Sequence, residues 1–179
     1  MFINISYLLI YALELIREYD NVVVVQTFSK SRSMAGMRIG YAMAGPELIQ
    51  AMNHVRYSYN SYPMTRLTVA LGVAALEDEK YFQETVEKII AAREWTKGEL
   101  SRLGFSFQDS MANFVFESHC TVPAGEIFGR LREKHIFVRH FSHPRIENYL
   151  RISIGTQQEM EVFIRELEGI VRADFGQNR

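Results

Sequence analysis

The sequence predicts an α/β protein built in two parts, and three patterns in its 179 residues indicate this. Val22 to Val25 is an unbroken β-branched run, typical of a strand buried on both faces of a parallel sheet. Residues 79–103 have the pattern of one long charged helix. Short strand patterns and two helical patterns follow Gly104, as in a compact α+β unit. We therefore expect two domains, residues 1–80 and 81–179, with the boundary inside the long helix.

Composition excludes several classes of protein. Hydrophobic residues make up 47% and charged residues 23%, which is ordinary for a globular protein and unlike a disordered or fibrous chain. The net charge of −1 argues against a nucleic-acid-binding or membrane-binding surface. The single cysteine, Cys120, excludes an internal disulfide and a multi-cysteine metal site, and it fits a cytoplasmic protein. The five histidines lack metal-ligand spacing, so we expect no metal site.

Each element expected before the long helix follows from a local pattern. Residues 1–16 are apolar but too short for a membrane span, and they lack the charges and cleavage site of a signal peptide. We expect a helix there, with a packed face formed by Leu8, Leu9, Ala12 and Leu15. A second strand is expected at 37–44, where Gly40 indicates close approach of another backbone or a ligand. The others are a helix at 47–55, a polar aromatic loop at 57–63 and a small-residue helix at 64–76 that we expect to pack closely on its neighbours.

The long helix and the elements after it have clearer signals. Glu84 and Lys88 are four residues apart and can pair on one helical face, while Val86, Ile89 and Ile90 provide an apolar side. Beyond the helix we expect strands at 105–107, 113–116, 136–140 and 149–154, and helices at 123–134 and 157–173.

A hydroxyl-rich segment with a lysine follows the first strand. Ligands in open α/β sheets bind beyond the carboxyl ends of strands, which is where Thr27, Ser29 and Lys30 lie. Together with Arg38, the two hydroxyls offer neutral donors and a bidentate charged group for a phosphate. The lysine amine could form a Schiff base with an aldehyde cofactor. An ordinary loop with a solvated lysine and arginine would have the same spacing, so these residues alone leave both interpretations open.

The full string around this lysine resembles a known family. Thr27 to Lys30, followed by Ala35 to Tyr41, is similar to the cofactor-lysine segment of fold type I pyridoxal-phosphate aminotransferases, in particular of their histidinol-phosphate branch. The shared pattern is a hydroxyl residue, an apolar residue and Ser-Lys, then Ala-Gly-apolar-Arg-apolar-Gly, with the arginine eight residues after the lysine. The resemblance covers about residues 13–174. It implies that residues 1–80 are the C-terminal remnant of a large cofactor-binding domain with a mainly parallel sheet, and that 81–179 are the small C-terminal domain.

The resemblance also implies roles for the residues of this segment. Lys30 would form the Schiff base with pyridoxal phosphate and then act as the general base and acid that moves a proton between the substrate Cα and the cofactor C4′. Ser29 and Arg38, together with Thr27, would hold the cofactor phosphate.

Three segments of the second part are similar to the same family: Ala112 to Phe114, Ile136 to Arg139 and Tyr149 to Thr156. Because side chains alternate along a strand, Leu150 and Ile152 face the core, and Arg151 points into a cleft or into solvent. By resemblance, Arg151 binds the α-carboxylate of an amino-acid substrate through its bidentate guanidinium. In the histidinol-phosphate branch an arginine like Arg139 contacts the substrate phosphate, and a solvated Arg139 is the alternative. Asn113 either lines the carboxylate pocket or bonds the backbone at a strand start.

A chain that resembles this family is expected to transfer an amino group from an amino acid, through the pyridoxamine form of the cofactor, to a 2-oxo acid. The resemblance implies histidinol phosphate and 2-oxoglutarate, in histidine biosynthesis; aromatic, aspartate-like and threonine-phosphate substrates are alternatives. Tyr59-Asn60 resembles a loop that reaches toward the neighbouring subunit's active site, which implies a homodimer.

Complete members of the family are roughly twice as long as this chain, in line with two domains. The resemblance gives this chain the place of their C-terminal half, and residues 1–12 do not match. The phosphate-cradling loop, the aromatic residue that stacks on the cofactor ring and the Asp that protonates its nitrogen would precede residue 13. A second interpretation is therefore a non-catalytic structural or oligomerising piece, and the presence of the N-terminal half would decide between the two.

Overall fold

The structure, a computed structural model, describes the backbone of residues 5–177 and the side chains of residues 12–173. The chain divides into two compact units, one ending at Val86 and the other beginning at Glu87, so the division falls inside the long helix. The first unit contains α1 (Ile5–Glu18), β1 (Val23–Thr27), α2 (Phe28–Ser31), β2 (Gly40–Ala44), α3 (Pro46–Tyr59), α4 (Arg66–Glu77) and the start of α5 (Glu79–Arg102). The second contains the rest of α5, then β3 (Phe105–Phe107), β4 (Phe114–His119), α6 (Ala124–Glu133), β5 (Arg139–His140), β6 (Leu150–Ser153) and α7 (Gln157–Gln177).

The two strands of the first unit are antiparallel, which corrects the expectation of a parallel sheet for this segment. They pair from Val23 opposite Ala44 to Thr27 opposite Gly40. A parallel neighbour needs a crossover that carries the chain back along the sheet, usually a helix. Only a four-residue helical turn and a three-residue 3-10 turn lie between β1 and β2. Val25 is 67% exposed, so the residues that the structure describes do not cover this strand on both faces. The predicted mixture of helices and sheet is confirmed.

Few side chains of the first unit are buried. Among those described, only Phe28, Thr68 and Gly72 are. The small-residue helix α4 packs closely on a neighbour at Gly72, as expected, but not along its whole length, since Leu67 is 65% exposed. Its close contact is local: a Cβ on Gly72 would lie 3.1 Å from Cδ1 of Ile39.

Two other helices of the first unit, α1 and α3, differ in part from what the sequence predicts. Leu8 and Leu9, expected on the packed face of α1, lie outside the described side chains, and Leu15 is 44% exposed. α3 is longer than predicted and takes in the first part of the expected aromatic loop, up to Tyr59. It ends where Asn60 turns to an extended conformation, with φ −152° and ψ 99°.

The second unit has a four-stranded antiparallel sheet in the order β3-β4-β6-β5. Side chains alternate between its faces as predicted for β6: Leu150 and Ile152 are buried, and Arg151 is exposed. Val115 of β4 joins the buried set. The end of α5, together with α6 and α7, completes the core with Leu100, Ile127, Leu131, Phe163, Ile164 and Leu167.

The predicted elements of this unit are mostly confirmed. The long helix and β3 match their predicted ranges closely. β5 is shorter than the expected strand 136–140 and begins at Arg139. Ile136 closes the end of α6 instead, because its N–H donates to the Leu131 carbonyl at 2.9 Å. Within residues 5–177, no helix combines the length and the apolar character needed to cross a membrane. The assignment of residues 1–80 and 81–179 to two named domains stays a prediction.

Candidate active site

Lys30 lies on a single turn of helix that continues directly from β1. This turn is α2, Phe28–Ser31, and it is called the lysine turn below. Phe28 anchors it, because its side chain is 5% exposed and its ring meets the Tyr41 ring edge-on at a centroid distance of 5.9 Å. The Phe28 N–H donates to the Ile39 carbonyl at 3.0 Å. The lysine turn is therefore fixed at one end of the two-stranded sheet.

Arg38 reaches the same end of the sheet from the other strand. It precedes Ile39, which bonds to the lysine turn, and Gly40, which is paired with Thr27. Its φ of 56° and ψ of 39° place it in the left-handed region, which residues other than glycine enter rarely and often at functional sites. Its exposed guanidinium donates from Nη1 to the Ala35 carbonyl at 3.0 Å. A guanidinium has five N–H donors, so others are available to a ligand.

Gly40 allows the two strands to approach closely where they meet. A Cβ at this position would lie 3.0 Å from the carbonyl oxygen of Gln26. The close approach predicted from the glycine is confirmed, and the approaching group is the backbone of β1.

The donors around the lysine turn fit pyridoxal phosphate. Lys30 offers an exposed primary amine, which suits an aldehyde. The half-buried hydroxyl-bearing residues Thr27 and Ser29 and the exposed Arg38 suit a phosphate. The structure thus brings these four residues to one end of the sheet, and their roles stay predictions.

A second group of candidate residues lies on the outer face of the four-stranded sheet. Arg139 of β5 and Arg151 of β6 are directly opposite each other, and both are exposed; the face that they share is called the arginine face below. Each guanidinium lies near an aromatic ring, with Arg151 Cζ 5.5 Å from the Phe114 centroid and Arg139 Cζ 5.6 Å from that of Phe141. Opposed like charges repel, and an anion between them removes that repulsion. The arginine face therefore suits a phosphate or a carboxylate.

Asn113 borders the arginine face at the start of β4. Its backbone carbonyl accepts a hydrogen bond from the Ile154 N–H at 2.9 Å, next to Phe114, which is paired with Ser153. This position agrees with the alternative that Asn113 bonds the backbone at the start of a strand. A role of Asn113 in a carboxylate pocket stays a prediction. His140 lies on the opposite face, where its ring stacks on Phe128 at a centroid distance of 5.5 Å.

The glycine-threonine pair at the end of the β6 segment has a structural role. The Thr156 N–H donates to Glu159 Oε2 at 2.7 Å, and the Glu159 N–H donates to Thr156 Oγ1 at 3.3 Å. This reciprocal pair is a capping box that begins α7. Hydrogen bonds from the Thr156 backbone and then its hydroxyl lower the pKa of Glu159.

β4 carries a buried carboxyl group on the core side of the sheet, which sequence reasoning missed. Glu117 lies opposite Leu150 and is fully buried, and neither of its oxygens has a hydrogen-bond partner in the part of the chain that the structure describes. Burial raises its pKa to about 8. The carboxyl is therefore mostly protonated at neutral pH. The sequence could have indicated this, because Glu117 is two residues after Val115 and alternation along a strand places both side chains on the same face.

Sequence reasoning also missed Arg32, which directly follows the lysine turn. Its guanidinium donates to the Ala75 carbonyl and to the Glu79 carboxylate, and it stacks on Phe82. These partners lie more than 40 residues away in sequence, so no local spacing could have indicated them.

Comparisons with known proteins place this geometry in a family. The sequence matches the family described as aminotransferase class I and II over residues 4–167, so the expectation that residues 1–12 do not match is wrong from residue 4 onward. A histidinol-phosphate aminotransferase of Brachyspira hyodysenteriae is 45% identical over 161 residues, which are 90% of this chain and 46% of that protein. The chain spans about half the length of the curated relatives that it matches.

Two solved structures show the same fold. The histidinol-phosphate aminotransferase from Clostridium acetobutylicum has a TM-score of 0.81 at 21% identity, over 90% of this chain and 49% of that one. The enzyme from Sinorhizobium meliloti, in complex with pyridoxal-5'-phosphate, has a TM-score of 0.73 at 32% identity, over 86% of this chain and 42% of that one. The resemblance drawn from the segment around Lys30 is thereby confirmed, and the chain belongs to the aminotransferase class I and II family.

Proposed function

We propose that this chain contributes to a pyridoxal-phosphate-dependent aminotransferase that transfers the amino group of histidinol phosphate to 2-oxoglutarate. Its membership of the family supports the reaction class. The single observation that carries the proposal is the lysine turn, where Lys30 is exposed at the end of β1 and Arg38 reaches the same end of the sheet from β2. The histidinol-phosphate aminotransferases among its relatives support the substrate.

Lys30 and the donors around the lysine turn have separate roles in this reaction. When bound, pyridoxal phosphate supplies an aldehyde that condenses with amines and a ring that accepts electrons. Lys30 provides the amine that holds the aldehyde and that later takes a proton from the substrate Cα and returns one. The hydroxyls of Ser29 and Thr27 and the Arg38 guanidinium donate to the phosphate.

The arginine face binds the acidic part of the substrate. Arg151 binds a carboxylate in amino-acid and 2-oxo-acid substrates. Arg139, directly opposite, adds the second cation that a phosphate dianion requires. Histidinol phosphate has a phosphate and no carboxylate, so it engages both arginines. Asn113, at the start of β4 beside this face, is a further residue that we propose to contact the acidic part of the substrate.

The assembly we propose is a homodimer in the cytoplasm. Tyr59 is 92% exposed at the end of α3, and Asn60 follows it. An exposed aromatic side chain in this position fits a subunit contact. Equilibrium sedimentation of the wild type and of Tyr59→Ser tests the interface: a wild-type dimer that the substitution weakens supports it, and an unchanged mass contradicts it.

The reaction class is tested by trapping the cofactor. The purified chain is mixed with pyridoxal phosphate, its visible absorption is recorded, borohydride is added, and mass analysis locates any pyridoxyl adduct. We expect the adduct on Lys30, and its loss in Lys30→Arg. Lys80→Arg is the matched control, because the Lys80 side chain is 89% exposed. Label spread over surface lysines, with no preference for Lys30, would contradict the proposal and favour a non-catalytic piece.

The substrate is tested by comparing two amino donors. Arg139→Ala is expected to weaken amino transfer from histidinol phosphate more than from an aromatic amino acid, because only the former has a phosphate. Arg132→Ala, an exposed arginine on α6, is the control. An equal loss for both donors would remove Arg139 from substrate recognition.

A further inference from the structure

We propose that Arg32 is a positioning residue for Lys30, which fixes the lysine turn against α4 and α5 so that the amine stays directed outward. This inference rests on the proposed function only in one respect, namely that the Lys30 amine binds the cofactor. The anchoring of the lysine turn by Arg32 is inferred from contacts within the first unit alone.

Three contacts hold the Arg32 side chain, which is 13% exposed. Nη1 donates to the Ala75 carbonyl at 2.6 Å, and Nη2 donates to Glu79 Oε2 at 3.2 Å. The guanidinium carbon lies 3.8 Å from the centroid of the Phe82 ring, as in a cation–π contact. One planar group thus joins the lysine turn to two helices.

The partners of Arg32 suit a guanidinium in particular. Ala75 lies in the last turn of α4, where backbone carbonyls lack partners within the helix and a positive charge is favourable. Glu79 begins α5 and also accepts from Gln83 Nε2 at 2.6 Å. Hydrogen bonds from Gln83 and then from Arg32 lower the pKa of Glu79, so its carboxylate is charged at neutral pH. A lysine could not serve a carbonyl, a carboxylate and a ring face at once.

The backbone transmits this anchoring to Lys30. The Arg32 N–H donates to the Phe28 carbonyl at 3.2 Å, and the Ser33 N–H donates to the Lys30 carbonyl at 3.4 Å. Side chains two residues apart on a helical turn do not face each other. With Arg32 directed inward to Phe82, Lys30 is directed outward, which agrees with its exposure.

The first test follows the lysine turn without any cofactor. Hydrogen exchange of the amides in residues 28–34 is measured by mass spectrometry in the wild type, Arg32→Ala and Arg66→Ala; Arg66 is an exposed arginine at the start of α4. Loss of charge-assisted hydrogen bonds is expected to speed exchange in this segment about tenfold in Arg32→Ala. Exchange in Arg66→Ala is expected to match the wild type. Millimolar guanidinium, which fits the space left by the side chain, is expected to restore protection in Arg32→Ala alone.

The second test uses pyridoxal phosphate and borohydride. The rate at which the pyridoxyl adduct forms on Lys30 is expected to fall about tenfold in Arg32→Ala and to recover with guanidinium. Should Arg32→Ala not fold, Glu79→Gln keeps the arginine and weakens one contact, and a smaller change in both readouts is expected.

The two tests separate this inference from the proposed function. If the wild type forms no adduct on Lys30 while exchange responds to Arg32 and to guanidinium, the cofactor role of Lys30 is wrong and the positioning by Arg32 is supported. Unchanged exchange at 28–34 in Arg32→Ala, or in Glu79→Gln when the former does not fold, overturns the inference. A loss of folded protein that guanidinium does not reverse, with wild-type exchange in Glu79→Gln, makes Arg32 a structural residue only.

Discussion

Arg139 and Arg151 occupy directly opposed positions on adjacent antiparallel strands, and both side chains are exposed. Opposed like charges destabilise a strand pair by roughly 0.2–1 kcal/mol. We expect Arg139→Gln to raise the free energy of unfolding by this amount at low salt, and less at high salt because ions screen exposed charges. Inorganic phosphate, at matched ionic strength, is expected to raise the melting temperature of the wild type more than that of Arg139→Gln. Arg132→Gln is the control, and an equal response to phosphate in all three proteins would show that the pair binds no anion.

The left-handed backbone of Arg38 predicts different outcomes for two substitutions of the same side chain. Arg38→Ala and Arg38→Gly both remove the guanidinium and are expected to weaken binding of pyridoxal phosphate alike. Only glycine relieves the left-handed conformation, whose cost is about 1–2 kcal/mol, so Arg38→Gly is expected to be more stable than Arg38→Ala by about that amount. Ser33→Gly, at another positive φ of 55°, should stabilise the chain without changing cofactor binding. Chemical denaturation checks stability, and equal stability of the two Arg38 variants would contradict the expectation.

Gly40 and Gly36 form a matched pair for testing the strand contact at the lysine turn. A Cβ at Gly40 would lie 3.0 Å from the Gln26 carbonyl oxygen, whereas a Cβ at Gly36 meets nothing within 4 Å. Gly40→Ala is expected to lower the free energy of unfolding by about 1–3 kcal/mol, as for other overpacked sites. Gly36→Ala is expected to leave stability unchanged or to raise it by up to about 1 kcal/mol through the unfolded chain. Denaturant titration of both variants measures the difference. Similar effects would mean that the β1 backbone shifts to accommodate the added methyl group without loss of stability.

The buried Glu117 predicts that stability falls as pH rises. Its carboxyl holds its proton up to about pH 8 in the folded protein, whereas an unperturbed carboxyl loses it near 4.5. The folded state therefore binds more protons between these values, and the free energy of unfolding decreases through this window by an amount on the order of 5 kcal/mol. Glu117→Gln is expected to flatten that dependence and to be the more stable protein above about pH 8.

The matched control for this prediction is Glu133→Gln, at an exposed position on α6. It should keep the pH dependence of the wild type. Denaturation measured from pH 5 to pH 9 gives the comparison, and parallel curves for Glu117→Gln and the wild type would show that this carboxyl is solvated in the fold.

Local patterns predicted those features that local physics decides. The alternation of Leu150, Arg151 and Ile152 fixed which side chain leaves the core, because a strand has a period of two. Gly40 correctly indicated a close backbone contact, because no other residue lacks a Cβ. The charged helix over 79–103 was found almost to the residue, since its length makes the pattern unambiguous.

Features decided by distant partners were not predictable in the same way. The composition of Val22 to Val25 does not show the direction of the neighbouring strand, which depends on the short connection to β2. The contacts of Arg32 with Ala75 and Glu79 join positions that are far apart in sequence, so they follow from the fold and not from a motif. The pairing of Arg139 with Arg151 likewise needed the strand register.

The uneven burial of the two units has a consequence for how the chain resists proteases. Cleavage requires a segment to open locally, and opening costs least where few apolar contacts are lost. The first unit buries Phe28 and little else among its described residues, whereas Leu100, Val115 and Leu167 are fully buried in the second. Trypsin should therefore cut the first unit long before the second. The lysine turn thus lies on the part of this chain that is degraded first, and a ligand bound there would show itself as slower digestion.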